Sequence, residues 1–586
     1  MKSFFKIFFA SFVALIVFSV LAIIIFSLIL GAALRPEKTE IGGRAVLVLD
    51  LSKQYYEQTK QDPLSFINDK TTGTVPGLFD VVRMLHYAKS DTAIKGLYIK
   101  ADANANGFGT SEELRAAVLD FKHSGKFVLA YGETIDQRSY YVASAAQKVF
   151  CHPNGGLEWT GFSINYIFFK GLLDKLEIEP QIFYAGKYKS ATEPFRVKEM
   201  TDPNRVQTTQ LLNDIYGNFL ATTARARHLD STDLHALALE GKIQTAMDAY
   251  RAHLIDGLMY DDEIKNELQK RLYLKKSDKI NFVSLADYAD ARNYKSTAGD
   301  RIAVIYAEGD IIDGKSESER VVASENFVAM IRKVRMDDDV KALVFRVNSP
   351  GGSALASDAI WREIVLTKKV KPVVVSMGDY AASGGYYISC AADSIFAEPG
   401  TLTGSIGVFG ILPNFKSFFN DKLGITFDGV KTAPYADMGN VTRPLSETER
   451  RFVQASIDTT YEVFKTRVAE GRKLNKVFVD SIAQGHVYTG TRAVELRLAD
   501  KIGSLQDAIN SAARLAKLKS YRLREYPEQK SIIEQLMSGS LQLSLKQEQL
   551  KNALGTAQFK YYEQIKNLDE MSGSKQAKLI AIPEIN

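Results

Sequence analysis

Cysteine is nearly absent from this chain: 586 residues contain only Cys151 and Cys390, too few for a disulfide framework. No Cys-x-x-Cys and no His-Glu-x-x-His occurs, which removes the common zinc signatures, and no Walker-type Gly-x-x-x-x-Gly-Lys-Ser/Thr occurs, which removes P-loop nucleotide hydrolysis. Charge of one sign is also lacking. The net charge is +5 with no long Lys/Arg run, so there is little electrostatic basis for nucleic-acid binding, and no nucleic-acid partner is expected. Histidine is sparse, with His486 alone in the second half, and a Ser/His/Asp triad built there would rest on that one residue. No cofactor and no metal site is expected.

What is present begins at the N-terminus. Ile7 to Leu34 carries no charged residue and is rich in Phe, Ile, Leu and Val. At roughly 1.5 Å per residue a helix of that length exceeds a hydrocarbon core of about 30 Å, and it is longer than the apolar region of a cleaved signal peptide. Residues 1–40 therefore read as one uncleaved transmembrane anchor. Lys2 and Lys6 precede it and Arg35, Lys38 and Arg44 follow it, which gives a slight bias toward an internal N-terminus and an external body.

The rest of the chain is one domain written twice. At an offset of 246, Ile94-Lys95-Gly96-Leu97 falls on Val340-Lys341-Ala342-Leu343, and Gly132, Tyr140, Tyr141 and Pro153 fall on Gly378, Tyr386, Tyr387 and Pro399. The two cysteines occupy non-equivalent positions in the repeat and read as buried thiols, with a single bridge between them as the alternative. Each half opens on a strand-like run, Ala45–Leu49 or Ile302–Tyr306, and continues in β-α-β alternation. That pattern predicts α/β domains with mainly parallel sheets. The expected boundaries are 41–290 and 291–530, with a polar linker over 287–300 and a helical or loose tail over 531–586.

Three glycine-rich turns stand out in the second half: Ser349-Pro350-Gly351-Gly352, Ala381-Ala382-Ser383-Gly384-Gly385 and Thr403-Gly404-Ser405-Ile406-Gly407. Small residues after strands let backbone amides approach a ligand closely, as an oxyanion hole requires. In the first half the matching positions hold Asn104-Ala105-Asn106, Gln137 and Gly161. A purely architectural turn should have been needed twice. Conversely Lys189, in Ala185-Gly186-Lys187-Tyr188-Lys189-Ser190-Ala191, faces Ala433, whereas Lys187 has a counterpart in Lys431. Each half has lost what the other kept.

Together, Tyr188-Lys189-Ser190-Ala191-x-Glu193-Pro194-Phe195, Asn348-Ser349-Pro350-Gly351-Gly352, Ala381-Ala382-Ser383-Gly384-Gly385-Tyr386-Tyr387 and Leu402-Thr403-Gly404-Ser405-Ile406-Gly407 resemble the signal peptide peptidase A (protease IV) family in its long, duplicated form. The resemblance covers nearly the whole chain. It implies tandem Clp protease/crotonase-like domains and a serine endopeptidase with a Ser/Lys dyad. Its substrates would be cleaved signal peptides and other apolar peptides. It further implies a homo-oligomer, a tetramer for the duplicated form, on the bacterial inner membrane with the body on the periplasmic side.

Motif matching assigns Ser405 as nucleophile and Lys189 as general base, with Ser383 as the rival nucleophile and Gly351 and Gly352 as oxyanion donors. A lysine base must fall from about 10.4 to about 7 or 8, which burial in a dry site supplies. The alternative is a crotonase-like enzyme acting on acyl-CoA thioesters, which would share the sheet and the turns without needing the pair.

Overall fold

The computed structural model describes residues 2–33, 40–61, 74–318, 320–528, 550, 553–555 and 576–578. Its first sheet runs β8 (Gly257–Leu258), β6 (Lys148–Leu157), β5 (Phe127–Ile135), β4 (Ile94–Lys100), β1 (Ala45–Asp50), β9 (Phe282–Ser284), all parallel. A separate pair, β2 (Lys60–Gln61) and β3 (Thr74–Val75), is antiparallel.

The second sheet repeats the same order as β20 (Lys501–Ile502), β16 (Ser394–Ala397), β15 (Val373–Ala382), β13 (Val340–Ser349), β10 (Asp300–Glu308), β21 (Tyr521–Tyr526). Those strands are also parallel. Identical strand order in both halves establishes the duplication in three dimensions. Leu343-Val344-Phe345 in β13 is buried without alternation, as expected for a parallel strand covered on both faces. The helices that cover it are capped by their own sequence: Ser353 Oγ accepts from the Ala356 amide at the start of Ala354–Lys368.

Beyond the end of β16, β17 (Leu402–Gly404) pairs with the last residues of β15, and β19 (Val487–Thr489) adds antiparallel to β17. A third sheet joins the halves. Its order is β12 (Val321–Ala323), β11 (Asp310–Ile312), β14 (Gly351–Ser353), β22 (Gln576–Lys578), β18 (Val408–Asn414), β7 (Glu179–Ala185). β7 comes from the first half, yet it pairs with β18 of the second from Ala185↔Val408 to Glu179↔Asn414.

Three expectations need correction or restriction. The segment read as a linker contains the helix Leu285–Ala291, which buries Leu285 and Tyr288 in the first half's core, so only residues 292–299 connect the halves. The tail over 531–586 lies mostly outside the described residues, but Gln576–Lys578 is a strand rather than helix or loose chain; sheet pairing, not local periodicity, fixes it. The N-terminal helix spans Lys2–Ala33. Among the described residues no helix is long and apolar enough to cross a membrane, and part of 1–40 falls outside them. Cys151 and Cys390 are buried free thiols.

Candidate active site

Lys189 lies just beyond β7, and the pairing of β7 with β18 carries it across to the second half. Its side chain is 2% exposed. Nζ lies 2.8 Å from Ser383 Oγ, 3.0 Å from Ser405 Oγ and 3.1 Å from the Ser405 carbonyl oxygen. Both serines singled out in the sequence therefore meet the one lysine.

Glycines make this approach possible. A Cβ on Gly485, at φ +77°, would lie 2.6 Å from the Lys189 amide nitrogen, and one on Gly407 would lie 3.2 Å from Lys189 Cδ. The loop is pinned by Gln207 of the helix Asp202–Arg227, whose amide donates to Tyr188 O at 3.0 Å and Ser190 Oγ at 2.7 Å, while its oxygen accepts from the Val487 amide of the other half. Glu193 accepts from Thr201 and Asn204 behind the loop. Burial alone lowers the Lys189 amine to about 7, and no carboxylate opposes the shift.

Ser383 and Ser405 are buried but differently built. Ser383 sits between β15 and the helix Gly384–Ser389 at φ 55°, ψ −112°, a conformation costing about 1–3 kcal/mol that functional sites tend to retain. Ser405 has φ 50°, and its amide donates to His486 O at 2.7 Å. His486 stacks on Tyr488 and meets Tyr188 edge-on, its Nδ1 lies 2.9 Å from Val487 O, and burial lowers its pKa.

The oxyanion assignment is only partly accommodated. Gly351 and Gly352 lie in β14, and the Gly351 amide donates to Ser349 Oγ at 3.2 Å. Gly352 has no room for a side chain, since a Cβ would fall 1.9 Å from Ile311 O.

The first half preserves a ghost of the site. Gln137, at the Ser383 position, donates to Gly161 O at 2.9 Å and accepts from the Thr160 and Gly161 amides, Gly161 being at the Ser405 position. One amide side chain bridges the positions that the two serines hold in the second half.

The sequence reading missed the polar seam between the halves. Arg346, fully buried in β13, donates to Glu57 at 2.8 Å and Glu113 at 2.6 Å, both first-half residues. Glu112 accepts from the Gly400 amide and Asp379 from Thr110. An arginine inside the apolar run of β13 was the available signal, because a buried charge demands a partner.

The sequence signature of Peptidase family S49 matches residues 120–275 and 366–519, one stretch in each half. Protease 4 of Salmonella typhi is 37% identical over 470 residues, covering 78% of this chain and 75% of the relative. Protease 4 of Haemophilus influenzae is 36% identical over 478 residues, with the same coverage of each. The chloroplastic serine protease SPPA of Arabidopsis thaliana is 34% identical over 462 residues, covering 77% of this chain and 68% of that one. These matches give the acyl-CoA reading no support. With a buried lysine on two serines at the junction of its halves, this chain belongs to peptidase family S49 and is a serine protease.

Proposed function

We propose that the protein is a membrane-anchored endopeptidase for extended apolar peptides, cleaved signal peptides among them, working through a Ser/Lys pair assembled from both halves. The observation that carries the mechanism is the buried Lys189 amine, lowered to about 7 and in contact with two hydroxyls.

The backbone at Ser383 favours Ser383, not Ser405, as the nucleophile, and the hydrogens of the amine allow one lysine to serve both hydroxyls. A neutral amine has two N–H donors and one lone pair. The Ser405 carbonyl can only accept, so it takes one N–H. If Ser405 Oγ takes the second, the lone pair is left for the Ser383 hydroxyl. Ser405 then holds the amine at two points and aims it. The strained strand-to-helix position of Ser383 is of the nucleophile-elbow kind and supports the same assignment. This reverses the order of the two serines expected from motif matching.

In this reading neutral Lys189 takes the Ser383 proton as Ser383 Oγ attacks the peptide carbonyl. The lysine next protonates the leaving amine, then deprotonates the water that attacks the acyl-enzyme and passes that proton to Ser383 Oγ as it leaves. The Gly351–Gly352 stretch of β14 is the candidate for the oxyanion donor. The uncharged run Ile7 to Leu34, with Phe8, Val17 and Phe18 exposed on its helix, supports a membrane anchor; the bacterial inner membrane and a periplasmic body rest on the family resemblance. The tetramer rests on the family resemblance.

A serine-reactive covalent probe followed by peptide mapping tests the assignment. Label on Ser383, lost in Ser383→Ala and Lys189→Ala, is the expected result; label on Ser405 overturns it.

A further inference from the structure

Lys189 stands at the apex of an inverse γ-turn. Its φ of −73° and ψ of 68°, with a 2.7 Å bond from the Ser190 amide to Tyr188 O, are those of that turn. The turn sets the direction in which the Lys189 side chain leaves the backbone, so whatever holds its two ends also aims Nζ. Gln207 holds both. Its Nε2 donates to Ser190 Oγ at 2.7 Å and to Tyr188 O at 3.0 Å, which occupies the two amide hydrogens and leaves Asn204 Oδ1 a longer neighbour at 3.4 Å.

The same side chain reaches the serine side. Gln207 Oε1 accepts from the Val487 amide at 3.3 Å, and the carbonyl of the preceding residue, His486, accepts from the Ser405 amide at 2.7 Å. A carbonyl only accepts and an N–H only donates, so Tyr188 O and the Val487 amide together fix which way the Gln207 amide faces. Gln207 is buried, so water does not compete for these bonds.

The duplication sets this glutamine apart from the helix that carries it. Asp202–Arg227 matches Glu447–Arg472 end to end at an offset of 245, each helix having 26 residues. At that offset Gln207 falls on Phe452, which is 47% exposed, just as Lys189 falls on Ala433. A residue needed only to build the helix would recur in both copies. The copy without the lysine also lacks the amide that grips its turn.

We propose that Gln207 is a positioning residue of the Ser/Lys pair: by gripping both ends of the turn and tying it to Val487, it sets Nζ between Ser383 and Ser405 and keeps water from the amine. The proposal rests on the peptidase reading above and adds to it a residue that acts through Lys189 rather than on the substrate.

Gln207→Met keeps the length of the side chain and removes its hydrogen bonds. It is expected to lower kcat for a short apolar fluorogenic peptide by about 10- to 100-fold with KM within about twofold, since a misplaced base costs chemistry rather than binding. Burial alone lowers the amine, so freeing the turn should also move the acid limb of the pH profile above that of the parent. Ser190→Ala removes one grip and should lower kcat by less, and adding it to Gln207→Met should cost nothing more. Phe219→Leu, in the apolar core farther along the same helix, should lower the thermal midpoint and leave the limb in place, which separates positioning from stability. A kcat for Gln207→Met within about twofold of the parent, an unmoved limb, an equal shift in Phe219→Leu, or additive losses in the double variant overturns the proposal. If the parent hydrolyses no peptide, the peptidase reading fails separately. Amide hydrogen exchange at Ser190 and Val487 then decides the tie: faster exchange in Gln207→Met upholds it, and equal exchange overturns it.

Discussion

Lys189 Nζ lies 2.8 Å from Ser383 Oγ across 194 positions of chain, and the two residues belong to opposite copies of a duplicated domain. The contact exists because β7 leaves its own half to pair with β18. Duplication usually yields two sites. Here one copy keeps the lysine and the other keeps the serines, while Gln137 bonded to Gly161 occupies the place where the first copy's serines would stand.

Peptidase activity should track the neutral form of Lys189. With the amine lowered to about 7, kcat/KM is expected to rise about tenfold per pH unit below 7 and to level off above it. An acid limb centred near 10 would show that the amine is not buried during turnover. The same shift affects stability. The unfolded lysine binds its proton below about 10.4 and the folded one only below about 7, so this group's contribution to stability grows as pH rises across that window. At pH 7 its burial costs roughly 4 kcal/mol. Lys189→Met should abolish hydrolysis while raising the thermal midpoint at pH 7.

The two serines should separate kinetically. Ser383→Ala is expected to lower kcat by on the order of a thousandfold or more, the size seen when a nucleophile is removed. Ser405→Ala keeps the attacking hydroxyl and removes one acceptor from the amine, so a loss of about 10- to 100-fold is expected. Its acid limb should move to lower pH, because a hydroxyl accepting from Nζ favours the charged amine. Matched losses with an unshifted profile would put Ser405 in the bond-making role.

Glycine at 485 is a condition of the site. A methyl group there meets backbone 2.6 Å away and the residue sits at φ +77°, whereas one on Gly429 meets nothing within 4 Å. Gly485→Ala should therefore cost more than about 1 kcal/mol of stability and most of the activity, while Gly429→Ala is neutral. Denaturant midpoints and initial rates on both variants check the contrast.

The duplication and the three small-residue turns were legible in the sequence because comparing the copies exposed positions that the fold did not require twice. Lys189 emerged the same way. The proposed order of the two serines is a different kind of property, since it rests on the backbone torsions of Ser383. Three residues of β22 carry no periodicity, so only their pairing reveals them. The seam was hidden because Glu57 and Glu113 lie 289 and 233 positions from Arg346.

That seam yields the last prediction. Burial pushes Glu112 up to about 8, despite the Gly400 amide that favours its charged form and with Asp379 adding to the rise. Its unfolded pKa is near 4.3, so the folded state binds the extra proton between roughly pH 4.5 and 8, and stability must fall across that window. Glu112→Gln should flatten the fall, measured as denaturant midpoint against pH. Arg346→Met acts in the opposite sense. It strips Glu57 and Glu113 of their cation, a loss of about 3–5 kcal/mol for a buried pair broken on one side. The cost should shrink toward pH 5, where Glu113, already raised by burial, regains its proton, and should largely vanish in Arg346→Met combined with Glu57→Gln and Glu113→Gln. An equal loss at pH 5 and pH 8 would mean that packing around Arg346, rather than its charge, holds the halves in the register that brings Lys189 to Ser383.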